Sequence, residues 1–158
     1  MHVIRLSTAA LLAACLSTSL WAQTVEVKNA WARATVQGQQ ATGAFMTLTA
    51  TQATQLVAVS TPVAGVAEIH EMKMDAGVMK MRALPALNLP AQQAVELKPG
   101  GFHLMLMDLK APLSKDASVA LTLTFRDAKG VQSQQQISVP VTTGMPASGA
   151  HEHGAHKH

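Results

Sequence analysis

His70, Met72, Met74, Met79 and Met81 fall within thirteen positions, HEMKMDAGVMKMR from 70 to 82, in a chain with no tyrosine and three phenylalanines. A second stretch, FHLMLMDL from 102, sets His103 beside Met105 and Met107. On a β-strand the residues i and i+2 share a face. His70, Met72 and Met74 therefore point one way, as do Met79 and Met81, and as do His103, Met105 and Met107. Thioether sulfur and neutral imidazole are soft ligands that suit copper(I), and the pattern lacks the carboxylates that magnesium, calcium or manganese prefer. Zinc more often recruits thiolates or a denser histidine cluster. A blue-copper electron-transfer centre would need a cysteine thiolate. The chemistry that remains is copper held for storage or transfer rather than for redox work.

Each of these methionines taken singly reads as packing, because methionine is an adaptable core filler. A lone histidine likewise reads as a satisfied structural residue. The coincidence of two histidines, each with methionine two residues on, is what points to a site. An oxidase would need an open coordination position and a substrate pocket with acid or base groups. Only Glu68, Glu71 and Asp75 lie near the pattern, so the chain does not read as an enzyme. A rival reading is an adhesion module with the methionines as an apolar contact patch. Glu71 and Lys73 alternate with the site face and are expected to be solvated.

The elements that must carry these residues are short, β-branched and separated by turn signals, which predicts an all-β fold, an antiparallel β-sandwich or barrel. Strands are expected from 24, 44, 55, 66, 78, 93, 102, 118 and 131. Asp75-Ala76-Gly77, Pro99-Gly100-Gly101 and Asp127-Ala128-Lys129-Gly130 supply turn residues between them. The methionine-rich stretch is thus a hairpin with Asp75 to Gly77 at its tip. No segment carries a convincing helical period.

Residues 1–22 have a basic start at Arg5, an apolar run and a small residue at Ala22, the form of an export signal. Ser7, Thr8 and Ser17 interrupt the run, which falls short of the roughly 20 apolar residues of a spanning helix. Cleavage after Ala22 would free a soluble periplasmic protein. The LAAC at 12–15 resembles a lipoprotein box and offers lipidation of Cys15 as the minority alternative. Cys15 is the one cysteine of the chain, so disulfide and thiolate chemistry are excluded from the body on either route. Without Arg5, eleven lysines and arginines face nine acidic residues, scattered singly, which argues against a nucleic-acid footprint. Residues 23–141 form one domain. From 142 to 158 small residues and alternating histidines replace the apolar pattern, and this stretch is expected to be a disordered tail.

The spacing of His70, ten residues, Met81, twenty-one residues, His103, one residue, Met105 reproduces the H-x10-M-x21-H-x-M signature, and PGGFHLMLMDLKAPL around it is similar as well. Over residues 24–141 the chain resembles the periplasmic PCuAC copper chaperones. The resemblance implies a cupredoxin-like barrel, a monomer, that holds copper(I) through His70, Met81, His103 and Met105. It also implies delivery to the dinuclear copper site of cytochrome c oxidase subunit II, alone or with a Sco-type thiol partner. General periplasmic copper storage or resistance is the alternative. Met72, beside His70, is a reserve ligand. The tail resembles that of extended family members, in which Met145, His151, His153, His156 and His158 would collect copper(II), for which imidazole is suitable. Protons should compete at His70 and His103, weakening binding below about pH 6.

Overall fold

The computed structural model describes residues 25–145, and they form ten β-strands with no helix. In chain order these are β1 (Val25–Arg33), β2 (Ala41–Ala50), β3 (Thr54–Ser60), β4 (Ala64–Asp75), β5 (Val78–Leu84), β6 (Leu87–Leu89), β7 (Ala94–Leu97), β8 (Phe102–Leu109), β9 (Ser118–Asp127) and β10 (Gln132–Thr142). They hydrogen-bond in the order β5-β4-β8-β7-β2-β1-β10-β9-β3-β6, with β8 also pairing β2 directly. The sheet is open, and it turns back on itself so that β3 packs beside β4.

The core explains the turn. Leu48, Leu104 and Leu106 from one half and Leu56, Leu121, Leu123 and Phe125 from the other are all buried in one cluster. β3, β8 and β9 contribute largely alternate residues, the pattern of a sheet with one apolar face, whereas β5 contributes no buried residue. Most pairings are antiparallel, but β1 runs parallel to β10 at Ala32–Val141 and Arg33–Thr142, and β7 meets β8 in parallel at Leu97–Phe102. The β1–β10 contact joins segments about a hundred residues apart in sequence and leaves no turn signal, and the β7–β8 contact spans the Pro99-Gly100-Gly101 turn, which marks a reversal without fixing a parallel bridge. β6 was also not expected. It is three residues long, too short for an alternation to be read, and its Leu87 and Leu89 are both buried against β3.

β2 begins at Ala41, earlier than the expected start at 44, and runs through Thr42 and Gly43. Thr42 Oγ1 donates to the Arg33 carbonyl at 2.8 Å, which fastens this end of β2 to β1. β1 carries a bulge between Lys28 and Trp31, where Asn29 takes φ 52°. Past the bulge Trp31 is buried and stacks on Phe45 of β2, ring centroids 4.6 Å apart. The β4–β5 hairpin closes through Ala76 and Gly77 alone, at φ 49° and 79°. Two successive positive φ values mark a type I′ turn, whose twist matches that of the strands it joins.

Candidate metal centre

β4 and β8 pair antiparallel with His70 directly opposite His103, and Glu68 opposite Met105. β4 and β5 pair so that Met72 faces Met81 and Met74 faces Met79. The three sets of side chains expected to share faces within their own strands therefore share one common face across β5, β4 and β8. Directly opposite positions hold their Cβ atoms about 4.5–5.5 Å apart. The two histidines are at the centre, with ring centroids 5.7 Å apart in an edge-on arrangement. Met105 lies to one side and the Met72–Met81 rung to the other.

Met72, Met81, His103 and Met105 line one open cleft of about 300 Å³, together with Arg33 and Phe45. His70 is buried beside it. Met107 is one rung further along β8, between Ala41 and Val66, and does not line the cleft. Met145 is exposed and lines a neighbouring cavity of about 130 Å³ with Trp31 and Phe45, which none of His70, Met81, His103 and Met105 lines. His151, His153, His156 and His158, like the expected export signal and Cys15, lie outside the described residues.

The hydrogen bonds of the two rings decide which nitrogens are free. His70 Nε2 is 2.8 Å from Glu68 Oε2. An ionised carboxylate only accepts, so Nε2 carries the proton and the lone pair of the neutral ring is on Nδ1. That Nδ1 is buried and has no hydrogen-bond partner. His103 Nδ1 donates to the Gly101 carbonyl at 3.1 Å, which leaves its Nε2 as the lone-pair nitrogen. The same carbonyl accepts the Met72 backbone N–H at 3.0 Å, so one peptide oxygen ties β8's entry to both β4 and the ring. Gly100, at φ 83°, supplies the backbone turn that aims it. Such partners on the far side of a ligating ring fix its tautomer and orientation.

Burial holds His103 below the ordinary histidine range; the bond to Gly101 opposes this, and the charges of His70 and Arg33 add to the depression. The Arg33 guanidinium sits 5.5 Å over the Phe45 ring, and that ring is 6.4 Å from the His103 ring. Gly43 has no side chain for a reason of space, since a Cβ there would lie 2.6 Å from Phe45 Cζ. Glu68, Gly101, Arg33, Phe45 and Gly43 were not assigned to the site from sequence. Glu68 and Gly101 each had a signal, standing two residues before His70 and His103; Arg33, Phe45 and Gly43 come from distant segments and had none. Glu71 corrects an expectation, for its carboxylate is mostly covered and accepts from Arg82 Nη2 at 2.7 Å rather than standing in solvent.

The arrangement can hold a soft, low-charge cation. A buried unpartnered imidazole nitrogen, a second free imidazole nitrogen on the facing residue and neutral sulfur around them match copper(I). Among the described residues no group of three or more His, Cys, Asp or Glu could hold a metal, so a hard-ligand site is not what the face offers.

The family model described as LpqE-like matches residues 25–141. The chain belongs to the LpqE-like family. Among curated relatives, this LpqE-like chain is 33% identical over 129 residues to Lxx21020 of Leifsonia xyli subsp. xyli, which carries a lipoprotein name, covering 81% of this chain and 74% of that one. It is 35% identical over 123 residues to RP573 of Rickettsia prowazekii, covering 73% and 65%. Among solved structures, apo-DR1885 of Deinococcus radiodurans superposes with a TM-score of 0.58 at 28% identity, covering 92% of this chain and 97% of that one. The copper-bound PCuAC domain of PmoF2 superposes with a TM-score of 0.62 at 21% identity, covering 78% and 96%. The LpqE-like chain therefore has the cupredoxin-like fold of PCuAC domains, as the signature implied.

Proposed function

We propose that this LpqE-like protein is an extracytoplasmic copper(I) carrier that holds its cargo with His70, Met81, His103 and Met105. The observation that carries this reading is the buried His70 Nδ1, which has no hydrogen-bond partner and belongs to the ring facing His103. An unpaired buried acceptor is costly, and a bound cation removes that cost. Two structural neighbours hold copper, the PCuAC domain of PmoF2 and CuI-DR1885, which supports copper as the cargo. The lipoprotein name of the Leifsonia relative supports a place outside the cytoplasm, reached through the export signal at 1–22, in the periplasm. Residues 23–141 would be the carrier domain and 142–158 an accessory stretch that gathers copper(II).

His70 binds through Nδ1 and His103 through Nε2, each ring steadied from behind by Glu68 or Gly101. Met81 is about half exposed, so its sulfur is the ligand an incoming partner reaches first. Copper leaves by ligand exchange as a partner offers stronger donors, thiolates of a Sco-type protein or the dinuclear site of cytochrome c oxidase subunit II. Met72, opposite Met81, replaces a displaced ligand during exchange.

The test is a copper(I) titration of the mature protein against a chromophoric chelator, beside the variant Met81→Ala/His103→Ala. The reading requires that the double variant lose one tight equivalent; equal binding by the two proteins overturns it. Mixing the copper(I)-loaded protein with a soluble fragment of oxidase subunit II, followed by one-electron oxidation with ferricyanide, then tests the recipient through the visible bands of the mixed-valent dinuclear site. Copper that stays with the carrier would instead favour storage.

A further inference from the structure

Four thioethers stand on one face of the β4–β5 hairpin in two rungs, Met72 opposite Met81 and Met74 opposite Met79. The first rung adjoins the histidines. The second, at the free end beside the Ala76–Gly77 turn, belongs to no part of the site described above. Packing does not account for it, because Met74 is 59% exposed and Met79 43%, whereas Met46, a core methionine, is 2% exposed. The other face of the same arm carries ion pairs, Lys80 on Asp75 in solvent at 2.6 Å and Arg82 on the mostly covered Glu71. Charge thus lies on one side of the arm and uncovered sulfur on the other.

From this register we infer that Met74 and Met79 form a second, weaker copper(I) site, at which the ion lands before it passes along the Met72–Met81 rung to His70 and His103. The inference rests on the copper reading of the main site. Two thioethers on directly opposite residues start from Cβ atoms about 5 Å apart, within reach of one ion between them. A bis-thioether pair suits a soft monovalent ion and offers nothing to a hard divalent one. It is weaker than the main site because it has no imidazole and no ligand held from behind by a hydrogen bond. Successive rungs are separated by two residues, about 6.6 Å along the strand. An ion can therefore move inward in one ligand-exchange step per rung. Neither sulfur takes up a proton in the biological range, so this landing site stays open in acid where histidine closes.

The same patch could instead be an apolar contact for a protein partner, since methionine suits adaptable surfaces. Sulfur and apolar area are separated by Met74→Leu/Met79→Leu, which keeps the area and removes the donors. The experiment uses the full mature chain labelled with 13C at the methionine methyl groups, titrated anaerobically with copper(I), with silver(I) in parallel. The two methyl signals absent from the leucine variant identify Met74 and Met79. The expected result is that the first equivalent shifts the Met81 and Met105 methyls, further copper shifts those of Met74 and Met79, and the leucine variant loses that later binding while keeping the first. Met74 and Met79 signals that stay still while Met81 and Met105 shift would overturn the second site and leave the main one standing. Still signals at Met81 and Met105 would overturn the main site on its own probes, whatever Met74 and Met79 do.

Discussion

His70 and Glu68 show how one hydrogen bond sets the direction of a ligand. The carboxylate takes the Nε2 proton and so turns the free lone pair to Nδ1. Removing it in Glu68→Ala is expected to weaken copper(I) binding about tenfold, the low end for loss of such a partner. Glu68→Gln, whose amide oxygen still accepts, should recover most of the loss in the same chelator competition. His103 gives the pH dependence. Its imidazolium is disfavoured in the folded state chiefly by burial, so the unfolded chain binds the proton more readily. Stability of the copper-free protein therefore rises with pH through this window. It is full above about 6.5, the unfolded histidine value, and falls with acid until the folded value is passed. Thermal unfolding between pH 7.5 and 5 should show a larger acid loss in the native chain than in His103→Gln. Proton competition at His103 correspondingly begins at lower pH than an ordinary histidine would give.

Two elements position the site, and each has a single backbone feature on which it depends. In β2, Gly43 lies opposite Met105 and leaves its space to the Phe45 ring. Gly43→Ala pushes that ring toward His103, and an overpacked site of this kind costs about 1–3 kcal/mol. Chemical denaturation should register that cost together with weaker copper binding. In the hairpin, Ala76 holds φ 49°, a left-handed conformation that costs a Cβ-bearing residue roughly 1–2 kcal/mol. Asparagine tolerates it better. Ala76→Asn should raise the melting temperature and leave copper affinity unchanged, because residue 76 touches none of the ligands.

This hairpin was legible in the sequence, since Asp75-Ala76-Gly77 between two alternating stretches fixes both the turn and, through it, the register that faces Met72 with Met81. The strand FHLMLMDL was legible for the same reason, its leucines marking the core side and so assigning His103 and Met105 to the other. What could not be read was anything depending on a pairing between distant strands. Arg33 and Phe45 reach the cleft only because β2 pairs with β8 and β1 with β2, and the bond from the Met72 N–H to the Gly101 carbonyl forms only because β4 runs past it.

At the scale of the whole molecule the proposed metal face belongs to the β5-β4-β8 end of the sheet, and the core packs behind its β8 strand. Leu104 and Leu106 close the back of the site and pack in one cluster with Leu121, Leu123 and Phe125 of the opposite half. Leu123→Ala, on a strand that pairs with none of β4, β5 and β8, should cost about 2–5 kcal/mol of stability. Folded protein at low temperature should still bind copper, so denaturation and metal titration separate under this change. Loss of binding by folded Leu123→Ala would mean that the core shapes the site as well as supporting it.

Every proposed ligand of the main site sits on a strand, and none on a loop. The strands count in twos, so the site obeys a parity rule. A single residue inserted in β4 between His70 and the turn shifts that arm by one. Lys73 and Lys80 would then stand where sulfur stood, because a one-place slip exchanges the two faces. Two residues inserted at the tip lengthen the arm and leave the order of ligands intact. The proposed carrier role accordingly predicts that hairpin arms of different length within this family differ by an even number of residues.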